Sequence, residues 1–422
     1  MISHHKILIT ETLKRLGFLC FCISYADRND DMHRTSHFLN QNPLYSGMRK
    51  KLQLVLLVTF YFVSGAQKNE NYLLIGTYTT GKSEGVYVYR FNSMNGDFDS
   101  VTMVKTSNPS YLAISPDEKF VYAVNENSDK GNGGKVSSFA FDKQQGKLSF
   151  IDQQQSAGDD PCYVSVDKTN KWIAIANYTS GTLSVLPIKG NGGLDPATTV
   201  IQQAGYSVNT ERQTSPHMHC AIFSSDNKYL FAADLGTDKV MAYTFDEKSG
   251  KLAEAASPFV MVKAGAGPRH LTFHPNKKYA YLIEELTGTI SAYNYKDGTF
   301  TLFQNASALP PDYMGSIGSA DIHVSADGKF LYASNRGESN TIAIYKINQK
   351  NGSITLVGHQ STLGKTPRNF NFDPSGNFLL VANQESDDIV IFKVDKKTGL
   401  LSDSGKRIKA GNPVCVKWIG IN

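Results

Sequence analysis

The chain has 422 residues, 41% hydrophobic and 19% charged, with 43 Lys and Arg against 38 Asp and Glu. Residues 1–66 hold 8 of those cations and 4 of those acids, so the remainder is nearly neutral at 35 against 34. That balance argues against a nucleic-acid partner or an anionic membrane surface, and the three cysteines beyond residue 66, Cys162, Cys220 and Cys415, are too widely separated for a disulfide framework or a Cys-paired metal site.

The N-terminal stretch divides in two. Met48 is followed by Arg49-Lys50-Lys51, the apolar run Leu52 to Val63, and then Ser64-Gly65-Ala66-Gln67. A basic start, a short apolar core and small residues at the end predict a secretory signal peptide over 48–66, too short for a comfortable membrane span. Residues 1–47 carry no packed-domain pattern and read as an upstream extension from a misassigned start. The expected mature chain is 67–422, periplasmic or secreted.

From Tyr72 onward, short alternating runs of Val, Ile, Tyr, Phe and Leu are broken by Gly, Asn, Asp and Ser, and no long helical periodicity occurs. One phrase recurs six times: an alternating strand, a Pro/Asp/Gly/Asn turn, then an aromatic-led apolar strand. Its aromatic falls at Phe120, Trp172, Tyr229, Tyr279, Phe330 and Phe378, with gaps of 52, 57, 50, 51 and 48 residues. Repeats of this length with several strands each predict a β-propeller. The fourth unit spells out one blade: Arg269–His274, Tyr279–Glu285, Thr289–Tyr295 and Thr299–Phe303 as successive antiparallel strands. A seventh blade is assembled from both ends, Tyr72–Tyr78 and Val86–Tyr89 from the front and Val414–Ile419 as its inner strand. The predicted fold is therefore an all-β, seven-bladed propeller closed by its termini.

Hairpin geometry predicts where chemistry collects. Residues equidistant from the turn between inner and second strands share one end of the blade. Arg269 and Glu285 are centred on Lys277, His219 and Asp234 on the Asp226-Asn227 turn, Ala320 and Arg336 on Gly328, and Arg368 and Gln384 on Gly376. His217, His219, His270 and His323 are placed at inner-strand starts, joined by Arg269, Arg336, Arg368, Glu126, Glu284, Glu285, Asn177 and Tyr178. These residues are expected at one mouth of the central channel as an anion-accepting pocket, with a Glu or His as acid or base. His274 and His359 read as structural, Cys162 and Cys220 as buried packing. His217 and His219 share a strand face, but a third ligand is missing nearby and the cationic rim repels metal ions. No metal and no cofactor is expected.

The segment Gly267-Pro268-Arg269-His270-Leu271-Thr272-Phe273-His274-Pro275-Asn276 resembles the seven-bladed lactonase family. That family includes propeller-type 6-phosphogluconolactonase and the fungal 3-carboxy-cis,cis-muconate lactonizing enzyme. His219 through Asn227, Ala320–His323, Asn335-Arg336 and Thr366–Phe370 support the likeness, which spans roughly residues 70–420. The resemblance implies an active-site His, Glu and two Arg at His219, Glu285, Arg269 and Arg336. It implies a small lactone as partner, opened by water that Glu285 or His219 activates. His217, His270, His323, Arg368, Asn177, Tyr178 and Glu126 are then expected to bind substrate. A muconate-type cycloisomerase, or a secreted propeller that only binds a carbohydrate or protein, are the alternatives; fold alone does not choose among them.

Overall fold

A computed structural model describes residues 69–128 and 133–421; the expected signal peptide and upstream extension lie outside the described residues. The described chain forms seven four-stranded antiparallel sheets. In chain order the first six blades span residues 112–155, 161–202, 218–261, 268–307, 319–361 and 367–409. The seventh joins the ends: Pro413–Gly420 pairs with Glu70–Thr77, from Asn71 opposite Gly420 to Thr77 opposite Pro413. Gly85–Asn92 and Phe98–Lys105 complete it. Closure removes two bare sheet edges that would otherwise be open to pairing.

The recurring phrase has a physical reading at each of its parts. In the first hairpin turns of three blades a Ser accepts from the aromatic's N–H and donates to an Asp two residues on. Ser115 does so with Asp117 and Phe120, Ser224 with Asp226 and Tyr229, Ser325 with Asp327 and Phe330. Such turns fix the register of the inner hairpin. The aromatic after the turn then packs on a glycine in the outer turn of the neighbouring blade: Phe120 on Gly192, Trp172 on Gly250, Tyr229 on Gly298, Tyr279 on Gly352, Phe330 on Gly399, Phe378 on Gly96. Tyr72 and Gly146 repeat the contact for the split blade. At Gly250, where φ is +69°, a Cβ would lie 2.2 Å from the Trp172 ring, so the aromatic and the glycine are one blade-to-blade joint. Trp172 adds an indole hydrogen bond to Glu247 O at 2.9 Å.

His274 belongs to this scaffold. Its Nε2 donates to Gly328 O at 2.9 Å, tying the turn of one blade to the next at the end of the hairpin away from Arg269. His359, on an outer strand, is bonded to Ala308 O at 3.0 Å.

Candidate active site

Two rings of residues build the channel mouth. The first comes from β-bulges. In the second, third, fourth and sixth blades the ladder steps over one residue of the inner strand: Cys162, His219, Arg269 and Arg368. The fifth blade steps over Ala320 and Asp321 together, and the seventh over Val414. A bulge leaves its extra residue unpaired and re-aims the side chain. Cys162, His219, Arg269, Arg368 and Val414 accordingly line one central cavity of about 240 Å³, open solvent at its mouth included, together with Ser110 from the segment ahead of the first blade's inner strand.

The second ring follows the second strands. The N–H groups of Tyr78, Glu126, Tyr178, Leu235, Glu285, Arg336 and Gln384 each donate to a carbonyl in the loop ahead of their own inner strand. These seven positions are equivalent, one per blade, and Tyr78, Glu126, Tyr178, Glu285 and Arg336 supply polar side chains. The residue before each is structural. Asn125, Asn177, Asn335 and Asn383 are buried and donate to Ser107 O, Ser156 O, Ala308 O and Thr362 O.

Glu285 is the hub of the mouth. Arg269 Nε donates to its Oε2 at 2.9 Å, Arg336 Nη2 lies 3.0 Å from the same oxygen, and Arg212 Nη2 donates to Oε1 at 2.8 Å. Arg212 comes from the long excursion before the third blade and also donates to Tyr178 OH at 3.1 Å. Burial alone would push the Glu285 carboxyl up; Arg336, Arg269 and Arg212 outweigh it and hold it down at about 2. His219 Nε2 stands 3.9 Å from Glu285 Oε2, beyond hydrogen-bond reach. Burial, reinforced by Arg269, His270 and Arg368, pushes His219 well below the usual histidine value, so it is a neutral imidazole.

Beneath the mouth, residues one step further along the inner strands form a floor. Tyr111 and Tyr163 stack with centroids 4.2 Å apart. His270 Nδ1 is bonded to Asp321 Oδ1 at 2.7 Å, and Asn369 Nδ2 donates to Asp321 Oδ2. Burial and Arg269 push His270 down to about 4 despite Asp321. Burial would raise the Asp321 carboxyl, yet His323 and His270 hold it well below the carboxylate range.

On another arc, Arg368 lies over the Tyr78 ring at 5.4 Å and 3.8 Å from Glu126 Oε1. Its guanidinium makes no hydrogen bond among the described residues, whereas those of Arg269 and Arg336 are engaged. Tyr78 OH donates to Glu126 Oε1 at 2.7 Å, and Glu126 Oε2 is buried without a hydrogen-bond partner among the described residues.

The residues expected from sequence therefore sort into groups. His219, Arg269, Glu285 and Arg336 come together, with Glu126, His270 and Arg368 on the same cavity. Tyr178 and His217 stand at the mouth, their rings stacked at 4.4 Å. Three residues sit elsewhere. Asn177 is turned into its blade, donating to Ser156 O, Thr182 Oγ1 and Ser184 Oγ. His323 lies three residues beyond the Ala320 position rather than at the strand start; it bonds Asp321 Oδ2 at 2.9 Å and meets the Phe370 ring edge-on. Glu284, likewise, is bonded inside its blade by Ser291 and Thr287. Cys162, expected as packing, does line the cavity, but burial raises its thiol well above the usual range, so it is not an activated nucleophile.

Arg212, Tyr78 and Asp321 were missed as site residues. Four inner strands begin with a proline, at positions 161, 268, 367 and 413, and Pro109 stands three residues ahead of a fifth; the residue after each proline lines the cavity. That signal was available; Arg212, carried by an irregular loop, had none. Among the described residues, no three His, Cys, Asp or Glu side chains converge as metal ligands.

Fold and site together define a propeller enzyme scaffold with its polar groups at one axial mouth, and the chain's family follows. The pattern of the family described as Lactonase, 7-bladed beta-propeller matches residues 72–418, and the chain belongs to that family. It is 38% identical over 348 residues to a 6-phosphogluconolactonase of Bacillus subtilis strain 168, covering 82% of this chain and 97% of that protein. A 6-phosphogluconolactonase of Formosa agariphila is 38% identical over 333 residues, covering 78% and 94%. Among solved structures, the periplasmic gluconolactonase PpgL of Pseudomonas aeruginosa is similar at 35% identity and a TM-score of 0.80, covering 84% of this chain and 100% of that one.

Proposed function

We propose that this protein opens a sugar lactone of the 6-phosphogluconolactone type by adding water to its ring ester. The observation that carries the reading is the convergence of Arg269, Arg336 and Arg212 on Glu285, beside a neutral His219, at the mouth of the channel.

In this mechanism Glu285 keeps three guanidinium groups in place; both its oxygens already accept from them, which leaves it poorly suited to take a proton from water. Of the two bases expected from sequence, His219 remains. Its neutral imidazole accepts a proton as water attacks the carbonyl carbon. Arg269 stabilises the oxyanion, and Arg336 and Arg212 receive an anionic substituent at the mouth. Collapse of the tetrahedral intermediate breaks the ring C–O bond, and His219 returns the proton to the departing oxygen. The product is the open hydroxy acid. His217 and Tyr178 border the approach and bind the substrate. Such lactones open unaided, so a modest lowering of the barrier suffices.

The same reading extends to location. Residues 48–66 would direct export, with the mature chain running from 67 and residues 1–47 upstream of the true start. The basic-apolar-small pattern supports this, as does the likeness to a protein described as periplasmic. No helix among the described residues is long and apolar enough to cross a membrane.

The test offers the purified protein glucono-δ-lactone, with and without a 6-phosphate, and 3-carboxymuconate. Acid release above the spontaneous rate with the lactones is the expected result. Loss of ultraviolet absorbance with the muconate instead would make the protein a cycloisomerase, and no turnover of either would leave a binding module.

A further inference from the structure

Glu126 lines the cavity outside the guanidinium lattice around Glu285. Tyr78 OH occupies its Oε1, and Oε2 is buried with no hydrogen-bond donor among the described residues. A buried carboxylate oxygen left unmatched is unfavourable unless something supplies a donor. Arg368 is the complementary case: a guanidinium 3.8 Å from Glu126, over the Tyr78 ring, with no hydrogen bond of its own among the described residues. Burial works against the Arg368 charge, but Tyr78, Glu126 and Glu285 reinforce it. Both side chains line the cavity that holds His219 and Arg269. An unused acceptor therefore lies next to unused donors, within the volume a substrate would enter.

We infer that Glu126 and Arg368, oriented by Tyr78, form a hydroxyl-reading subsite that selects a polyhydroxylated lactone and refuses a carboxylated one; this rests on the lactonase reading above. Glu126 Oε2 accepts from one ring hydroxyl, and Arg368 donates to the oxygen of its neighbour, so a vicinal diol fills both vacancies at once. A substrate carboxylate at the same place would satisfy Arg368 but bring a negative charge against Glu126, with no proton to offer its oxygen. A lactone lacking hydroxyls would leave both groups unmatched in a desolvated site, the situation in which binding sites discriminate most strongly.

The experiment compares glucono-δ-lactone with δ-valerolactone, which lacks the hydroxyls, by acid release, and measures inhibition by muconolactone, which carries a carboxylate. Glu126→Gln is expected to lower the kcat/KM ratio of the hydroxylated to the bare lactone about tenfold, through KM, and to bind muconolactone more tightly. Tighter binding is a gain that misfolding does not produce. Tyr78→Phe, which only frees the oriented oxygen, should give a smaller fall in the same ratio. If Glu126→Gln lowers kcat for both lactones by one common factor, Glu126 acts on the water and the subsite is wrong. An unchanged ratio with unchanged inhibition also overturns it. A wild-type protein that opens neither lactone overturns the lactonase reading itself, and the subsite with it.

Discussion

Arg269 donates from Nε to Glu285 Oε2 at 2.9 Å, and both side chains are buried. They reach each other because Pro268 pairs with Glu284 and a bulge then turns Arg269 out of the ladder toward the residue after Glu284. Removing one partner leaves the other charge buried. Glu285→Gln, which leaves the buried Arg269 without its carboxylate, should destabilise the protein by about 3–5 kcal/mol, and Arg269→Met, which leaves Glu285 with Arg336 and Arg212, should cost less. The double variant should cost clearly less than the two together, measured by urea unfolding. Additive losses would mean the two groups do not depend on each other.

Stability should fall with acid in two stages. His270 has its folded value lowered to about 4, so between roughly 6.5 and 4 the unfolded chain takes up a proton that the folded one refuses. Stability is lost as pH falls through that window. Glu285, lowered to about 2, contributes stability that is present above its unfolded value and is lost as pH falls from about 4.5 toward 2. Unfolding midpoints from pH 8 to pH 3 should therefore drop below about 6.5, and His270→Gln should shrink the upper stage, of which His219, also held well below 6.5, keeps a share. A midpoint that stays level from pH 7 to pH 4 would contradict this.

The activity profile follows from His219. Its folded value lies well below 6.5, because of burial and the nearby Arg269, His270 and Arg368. The base is thus already unprotonated at neutrality, and kcat/KM, corrected for spontaneous opening, should stay flat from pH 8 through about 6.5 and fall only well below it. An inflection near an ordinary histidine value would point to a different, more exposed base.

Asn177 separates scaffold from site. Its side chain donates to Ser156 O, Thr182 Oγ1 and Ser184 Oγ inside the blade. Asn177→Ala should cost about 1–3 kcal/mol in thermal or urea unfolding, with kcat and KM near wild type. Tyr178→Phe, one residue on, should raise KM with little loss of stability, because it frees the Arg212 guanidinium. The reverse pattern would place the substrate contact on Asn177.

The propeller was legible because its grammar is local: turn, aromatic and strand recur at steady spacing, and each part has one mechanical job, down to the aromatic that seats on the next blade's glycine. Much of the site was legible for the same reason, since equidistance from a hairpin turn sends Arg269 and Glu285 to one rim. The errors lie at the scale of a single residue. Without the bulges, period-two alternation cannot separate Asn177, which faces its own blade, from Tyr178, or assign His323 to the floor beneath Asp321. Arg212 was illegible because a long irregular loop delivers it from a neighbouring blade to Glu285. The division of labour, with Glu285 saturated by guanidinium and Glu126 left open, depends on distances that no spacing rule contains.

The most direct test of the account is the rate of glucono-δ-lactone opening at pH 7 by wild type, Glu285→Gln, Arg269→Gln and the double variant. If Glu285 and the arginines act as one unit, each single variant should lose about 100-fold in kcat/KM, and the double should lose little more than either. Opening by both single variants at the wild-type rate would show that the guanidinium lattice takes no part in the reaction.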